Sequence, residues 1–247
     1  MHIIFLFTSI NRVFQKGSYV YLFIAINAFF IVVPQIDMVF SRYFYQSGLF
    51  FAADSVGWII LRDFHRASQL YLLVILLILL AVYALWRHPL PSIAPHKVVY
   101  VFLTFILGPG ALVHSLKLLI GRARPRHLLE FGGAMDFTPA WQMTTACNIN
   151  CSFPSGEGAA AVAMLSLLIF VPERRRVLVV VVLVPFLALI SMNRIFMGAH
   201  FLSDVVIAWT LVVGLMLWLW PHIAVHADAI DIWTRRQLRA FCARKPD

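Results

Sequence analysis

The stretch CSFPSGEGAAAVAM, Cys151 to Met164, sets a proline, a serine and a glycine at the mouth of an apolar run. Pro154 and Gly156 read as a turn, and the helix reads as starting directly after it with Ser155 as its cap. Glu157 then falls in the first helical turn, where free N–H groups and a partial positive charge favour a carboxylate. The same helix end also takes an external anion through a serine hydroxyl and backbone donors. Capping alone accounts for PSGE, so its meaning depends on what else reaches that level of the chain.

The apolar run after PSGE is one of six. Of the 247 residues, 62% are hydrophobic and 13% are charged, and the mean hydropathy is +0.86. Soluble domains are nearer half apolar and about a quarter charged, so the expectation is an all-α, polytopic membrane helical bundle. Spans of ~20 residues are expected from Tyr19 to Val33, Leu70 to Trp86, Val98 to Leu116, Glu157 to Val171, Val177 to Met192 and Phe201 to Trp220, the last stopped by Pro221. The short apolar stretch Ile3 to Phe7 has no small-residue cleavage site after it and reads as an interfacial lead-in. One domain over residues 1–247 is expected.

Basic residues orient the bundle. Arg12, Lys16, Arg87, Lys97, Arg174 to Arg176, Arg235, Arg236, Arg239, Arg244 and Lys245 all fall on one side of a six-span chain. By the positive-inside rule that side is cytoplasmic, with both termini. The net charge of +9 is thus assigned to cytoplasmic loops. No stacking platform or basic groove suggests a nucleic-acid partner. Segments 35–69, 117–156 and 193–200 fall on the other side, the first long enough for an interfacial helix or two. Cys147 and Cys151 lie there, either as two free thiols or as a small disulfide, which the oxidising side of a bacterial membrane permits.

Three pieces converge on that outer side. In KLLIGRARPRH, Lys117 and Arg124 are two helical turns apart. PSGE adds Ser155, Gly156 and a helix N-terminus. In RIFMGAHFLSD, Arg194 precedes His200 and Asp204, and the last two are four apart, where a carboxylate can hold an imidazole N–H. Snorkelling anchors, a plain cap and a structural His–Asp pair would explain each piece separately. Together, three fixed cations, a helix N-terminus and an oriented histidine suit a tetrahedral phosphate dianion and its transition state.

The pattern K-x6-RP, then PSG, then R-x5-H-x3-D, over about residues 117–204, resembles the type 2 phosphatidic acid phosphatase superfamily in its membrane branch. The resemblance implies a metal-independent lipid phosphatase without cofactor. His200 would attack phosphorus, Asp204 would orient it, and Lys117, Arg124 and Arg194 would hold the nonbridging oxygens with Ser155 and the Gly156 N–H. The family usually carries histidine after PSG as the acid for the leaving oxygen, and this chain has Glu157. Glu157 is therefore either that acid or a group that positions Lys117 or Arg124.

A site at the outer membrane surface of a bacterial inner membrane suits a lipid-linked phosphate. ACNINCSFPSGE resembles a subgroup with bacterial lipid A phosphatases, which implies lipid A dephosphorylation. That resemblance leans to the 4′ phosphate over the 1 phosphate, a choice the chemistry of the residues does not decide. The other readings are an undecaprenyl diphosphate, phosphatidylglycerophosphate or phosphatidate phosphatase, a lipid phosphotransferase, and a lipid-phosphate binding or transport protein with a degenerate site.

Overall fold

Hydropathy and helix breakers dictate most of the architecture. The computed structural model describes residues 16–85 and 93–243. Helix α1 (Lys16–Val32) ends before Pro34, and the chain turns by 78° into α2 (Gln35–Tyr43). A two-residue hairpin follows, β1 (Tyr45–Gln46) against β2 (Leu49–Phe50), with Tyr45 opposite Phe50. Ser47 and Gly48 both take positive φ, as the tight turn of such a hairpin demands. Next come α3 (Val56–Leu85) and α4 (Pro95–Phe105). The chain then passes through a π-helical stretch, Ile106–Leu112, into α5 (Val113–Ile120). Pro109 has no N–H to give, and the helix widens around it instead of breaking.

After α5 the chain leaves regular helix until α6 (Gly156–Ala163), which tightens into a 3-10 segment, Met164–Phe170. Helices α7 (Glu173–Phe196), α8 (Leu202–Val225) and α9 (Ala227–Ala243) complete the chain. The centre of the bundle is α6. Ala159 to Ala163 are all buried, packed with Val98 and Val101 of α4 and Ala208 and Val212 of α8. Small side chains let these backbones approach closely, which is how helices gain contact where lipid is as apolar as leucine. Outward faces stay apolar: Leu70, Val74, Leu77 and Ile78 of α3 and Val181 and Val182 of α7 are exposed. Such a surface is suited to lipid.

Several expectations change. Four helices among the described residues are long and apolar enough to cross a membrane, five if the bent pair α1–α2 is one span, where six were expected. The expected fourth span, Gly156–Phe170, is a shorter apolar helix. Segment 35–69 is not purely interfacial, because α3 begins at Val56, well before Leu70. No proline interrupts it, and at 30 residues it is about 45 Å long, against ~30 Å of hydrocarbon. Its first turns therefore overshoot the apolar layer and carry Arg62, Asp63 and Arg66. Pro221 does not stop the last span, since α8 runs through it to Val225. The lead-in Ile3 to Phe7, Arg12, Trp86, Arg87, Arg244 and Lys245 lie outside the described residues.

Candidate active site

The site is built where α5 and α7 end and α6 and α8 begin. Gly198 has φ +60°, and a Cβ there would meet the Phe50 ring at 2.4 Å, so only glycine allows this turn. The turn carries His200, whose N–H returns to the Arg194 carbonyl at 3.2 Å. His200 precedes α8 rather than sharing its face with Asp204. Even so, its Nδ1 lies 3.6 Å from Asp204 Oδ2. Burial pushes the His200 imidazole down to about 3, against the pull of Asp204. The ring is thus held neutral, with Nε2 as the nitrogen turned away from the carboxylate.

Asp204 is itself held on all sides. Oδ2 accepts from the Phe201 N–H at 2.8 Å and from the Ser152 hydroxyl, and Oδ1 accepts from Arg122 at 2.6 Å. The same guanidinium donates to Asp37 at 2.9 Å and to the Thr138 carbonyl at 2.7 Å, and lies 4.1 Å from the Phe201 ring centroid. Asp37 closes the circle on the Ser203 N–H at 2.8 Å and its hydroxyl at 2.5 Å. Arg122, Asp37 and Asp204 are all buried, a guanidinium between two carboxylates.

The PSG turn docks on this centre. The Ser155 N–H donates to the Asp204 carbonyl at 2.9 Å, and its Oγ caps α6 by accepting from Gly158 N at 3.1 Å. Lys117 Cε would lie 3.7 Å from a Cβ on Gly156, which brings the ammonium to the turn. Lys117 Nζ donates to the Cys151 carbonyl at 2.5 Å and the Ser152 carbonyl at 3.3 Å. Arg124 holds the Asn150 carbonyl at 2.8 Å and its side-chain oxygen at 2.7 Å. Both cations therefore brace the irregular segment leading into PSG, and a disulfide between Cys147 and Cys151, with Cα atoms 5.5 Å apart, staples the same segment.

Glu157 makes neither of its expected contacts. One oxygen accepts from Arg66 at 2.9 and 2.5 Å, and the other lies 2.6 Å from Arg194 Nε. It bridges two guanidinium groups and pairs with neither Lys117 nor Arg124. His65, buried on α3, approaches the Glu157 carbonyl at 3.3 Å. The sequence does not single out Arg66 and His65, because segment 35–69 reads as interfacial and outside the spans. Arg122 was visible as a charge, but its partner Asp37 is 85 residues away, and nothing local links them. Among the described residues no three His, Cys, Asp or Glu side chains gather as a metal site. The convergent groups are cations around a neutral imidazole, an arrangement for an anion.

Comparison with known proteins agrees with this geometry. The family model of the PAP2 superfamily matches residues 97–227. The chain is 33% identical over 200 residues to a Rhizobium leguminosarum protein named lipid A 4′-phosphatase, covering 75% of this chain and 86% of that one. It is 34% identical over 107 residues to a Rhizobium etli lipid A 1-phosphatase, covering 43% of this chain and 42% of that one. In fold it resembles the crystal structure of a transmembrane PAP2-type phosphatidylglycerolphosphate phosphatase from Bacillus subtilis, with a TM-score of 0.56 at 18% identity over 85% of this chain and 96% of that one. The His200–Asp204 pair, the bracing cations and the PSG turn all lie within the matched region, and the chain belongs to the PAP2 superfamily.

Proposed function

We propose that this protein is a lipid A phosphatase acting on the 4′ phosphate monoester. The carrying observation is His200, buried and neutral beside Asp204, with Lys117, Arg124, Arg194 and the N-terminus of α6 at the same end of the bundle. The position follows the relatives: the likeness to the 4′-phosphatase extends over most of both chains, whereas that to the 1-phosphatase covers less than half.

In this reading His200 Nε2 attacks phosphorus in line. The N–P bond forms as the ester P–O bond breaks, and the leaving oxygen departs with the electron pair and takes a proton from water. Asp204 stabilises the imidazolium-like charge on the phosphorylated ring, and Arg122 and Ser152 keep Asp204 aimed. Lys117, Arg124 and Arg194, with Ser155 and the Gly156 N–H, neutralise the nonbridging oxygens, where charge stabilisation counts most. Water then attacks phosphorus, breaks the N–P bond and releases inorganic phosphate. Glu157 acts as a positioning residue for Arg194, because both its oxygens are engaged by guanidinium groups.

We place the site on the periplasmic side of a bacterial inner membrane, with six crossings and both termini in the cytoplasm. Arg174 to Arg176 start α7, and the site lies at its other end. The disulfide suits an oxidising compartment. The short fourth crossing reaches about 26 Å with eight α-helical and seven 3-10 residues, a few Å short of the hydrocarbon, a mismatch that local thinning of the bilayer absorbs.

Mass spectrometry of lipid A from Gram-negative cells expressing the chain tests the reading. The expected result is loss of the 4′ phosphate, abolished by His200→Ala. Intact lipid A from cells whose membranes contain the protein would overturn the substrate, and loss that persists in His200→Ala would overturn the nucleophile.

A further inference from the structure

Beside the His200 centre lies a cavity of about 280 Å³ that the mechanism does not use. It opens between the β1–β2 hairpin, the first turns of α3, the turns after Arg124 and the end of α7. Tyr45, Phe50, Phe131 and Met197 give it an apolar wall, and Arg62 and Arg126 are its charged groups. Both arginines adjoin the reaction centre. Arg126 follows Arg124 by two residues, and its N–H donates to the Gly198 carbonyl at 3.0 Å, in the turn that carries His200. Arg62 stands one helical turn before Arg66, which holds Glu157. Met197 receives an Arg194 N–H on its sulfur at 3.2 Å, so Arg194 adjoins both the cavity and the His200 centre.

Charge bookkeeping shows why this matters. Lys117, Arg124, Arg194, Arg66, Arg62 and Arg126 form a run of cations, each within electrostatic range of at least one other. Glu157, Asp63 and, for Lys117 and Arg124, Asp204 are the carboxylates facing them, Asp63 paired with Arg62 at 2.8 Å. Arg122 is spent on Asp37 and Asp204. Counted together with Arg122, Asp37 and Asp204, seven cations against four carboxylates leave a surplus of three positive charges. A single phosphate monoester brings about two negative charges at neutral pH. Arg126 has no carboxylate partner among the described ion pairs, and its neighbour in contact is His127. The surplus therefore points into this cavity, and its apolar wall suits a group carried on a bulky scaffold.

We propose that this cavity is a second phosphate subsite, in which Arg62 and Arg126 hold the non-scissile phosphate of the lipid whose other phosphate lies on His200. This rests on the lipid A reading, since the relatives' names put phosphates at both the 1 and 4′ positions of that lipid. The subsite makes the enzyme select a doubly phosphorylated head group over a singly phosphorylated one.

Binding to the full-length His200→Ala protein in nanodiscs tests this without turnover. The probes are lipid A with both phosphates and lipid A that keeps only the 4′ phosphate. Hydrogen bonds to charged groups contribute about 1.5–3 kcal/mol, so the doubly phosphorylated lipid is expected to bind about tenfold tighter or more. Adding Arg62→Ala and Arg126→Ala should bring the two lipids within about twofold, and Arg126→Gln alone should remove part of the preference. Neither arginine is buried, so neither change strands a buried partner. Equal binding of the two lipids to the His200→Ala parent, or a preference that survives both substitutions, would overturn the subsite. Phosphate release by the unsubstituted chain reports separately on the lipid A reading: its failure leaves a measured binding preference standing, and the reverse also holds.

Discussion

Glu157 stands where the family resemblance implies a histidine, and it lies between two guanidinium groups. Arg66 comes from α3 and Arg194 from α7, so one carboxylate ties two helices to the PSG turn. Glu157→Gln keeps the shape and removes the charge that orients Arg194. We expect kcat/KM to fall by up to about 100-fold, the scale of a small misplacement of a catalytic group, with the shape of the kcat pH profile unchanged. Loss of the basic limb in that profile would instead make Glu157 the proton donor. His200 supports a second prediction. Its folded value of about 3 lies below the ordinary 6.5 or so of an unfolded chain. Between these values the unfolded chain binds a proton that the folded one refuses. The His200 contribution to stability is therefore complete above about pH 6.5 and is lost as pH falls through that window. In detergent, the His200 ring nitrogens should show no titration between pH 5 and 8 by NMR; a midpoint near 6.5 would overturn the buried neutral ring.

Between elements, the decisive tie is Arg122, which joins α2 through Asp37 to α8 through Asp204. A buried guanidinium between two carboxylates is costly to assemble and more costly to break, because removing one partner strands the others. Arg122→Met should destabilise the protein by about 3–5 kcal/mol and Asp37→Asn somewhat less, seen as lower thermal midpoints in detergent. Unchanged midpoints would mean that the network is not closed in solution. None of this tie was legible in the sequence. Hydropathy showed the helical bundle, and the spacing of Lys117, Arg124, Ser155, Arg194, His200 and Asp204 showed one end of it, because those signals are local. Arg122 pairs with Asp37 across 85 residues, and no local pattern marks such a contact. The hairpin was missed because Ser47-Gly48 is a weaker turn signal than Asn-Gly. The early start of α3 was missed because Arg62, Asp63 and Arg66 looked too polar for a span, whereas the helix is simply longer than the hydrocarbon.

Across the whole molecule, charge is divided between two ends with different work. At one end of α7 stand Arg174 to Arg176, and at the other Arg194 joins Lys117 and Arg124. The first group fits the positive-inside rule, and in the proposed topology the second stands on the far side, where the proposed anionic substrate gives it a reason. Asp231 of α9 caps α4 at the first end by accepting from the His96 N–H at 2.8 Å, so α9 belongs with Arg174 to Arg176. Orientation can then be read with single cysteines. Cys147 and Cys151 are joined in the disulfide, so Cys242→Ser leaves no free thiol among the three cysteines. In that background, Asp136→Cys and Arg175→Cys each place a thiol at an exposed position, one at each end. A membrane-impermeant maleimide should label Asp136→Cys in intact spheroplasts and Arg175→Cys only after permeabilisation. The reverse pattern would put the active site in the cytoplasm. Labelling of both in intact spheroplasts would mean an even number of crossings between them, which removes the fourth crossing at Gly156–Phe170 and with it the six-span bundle.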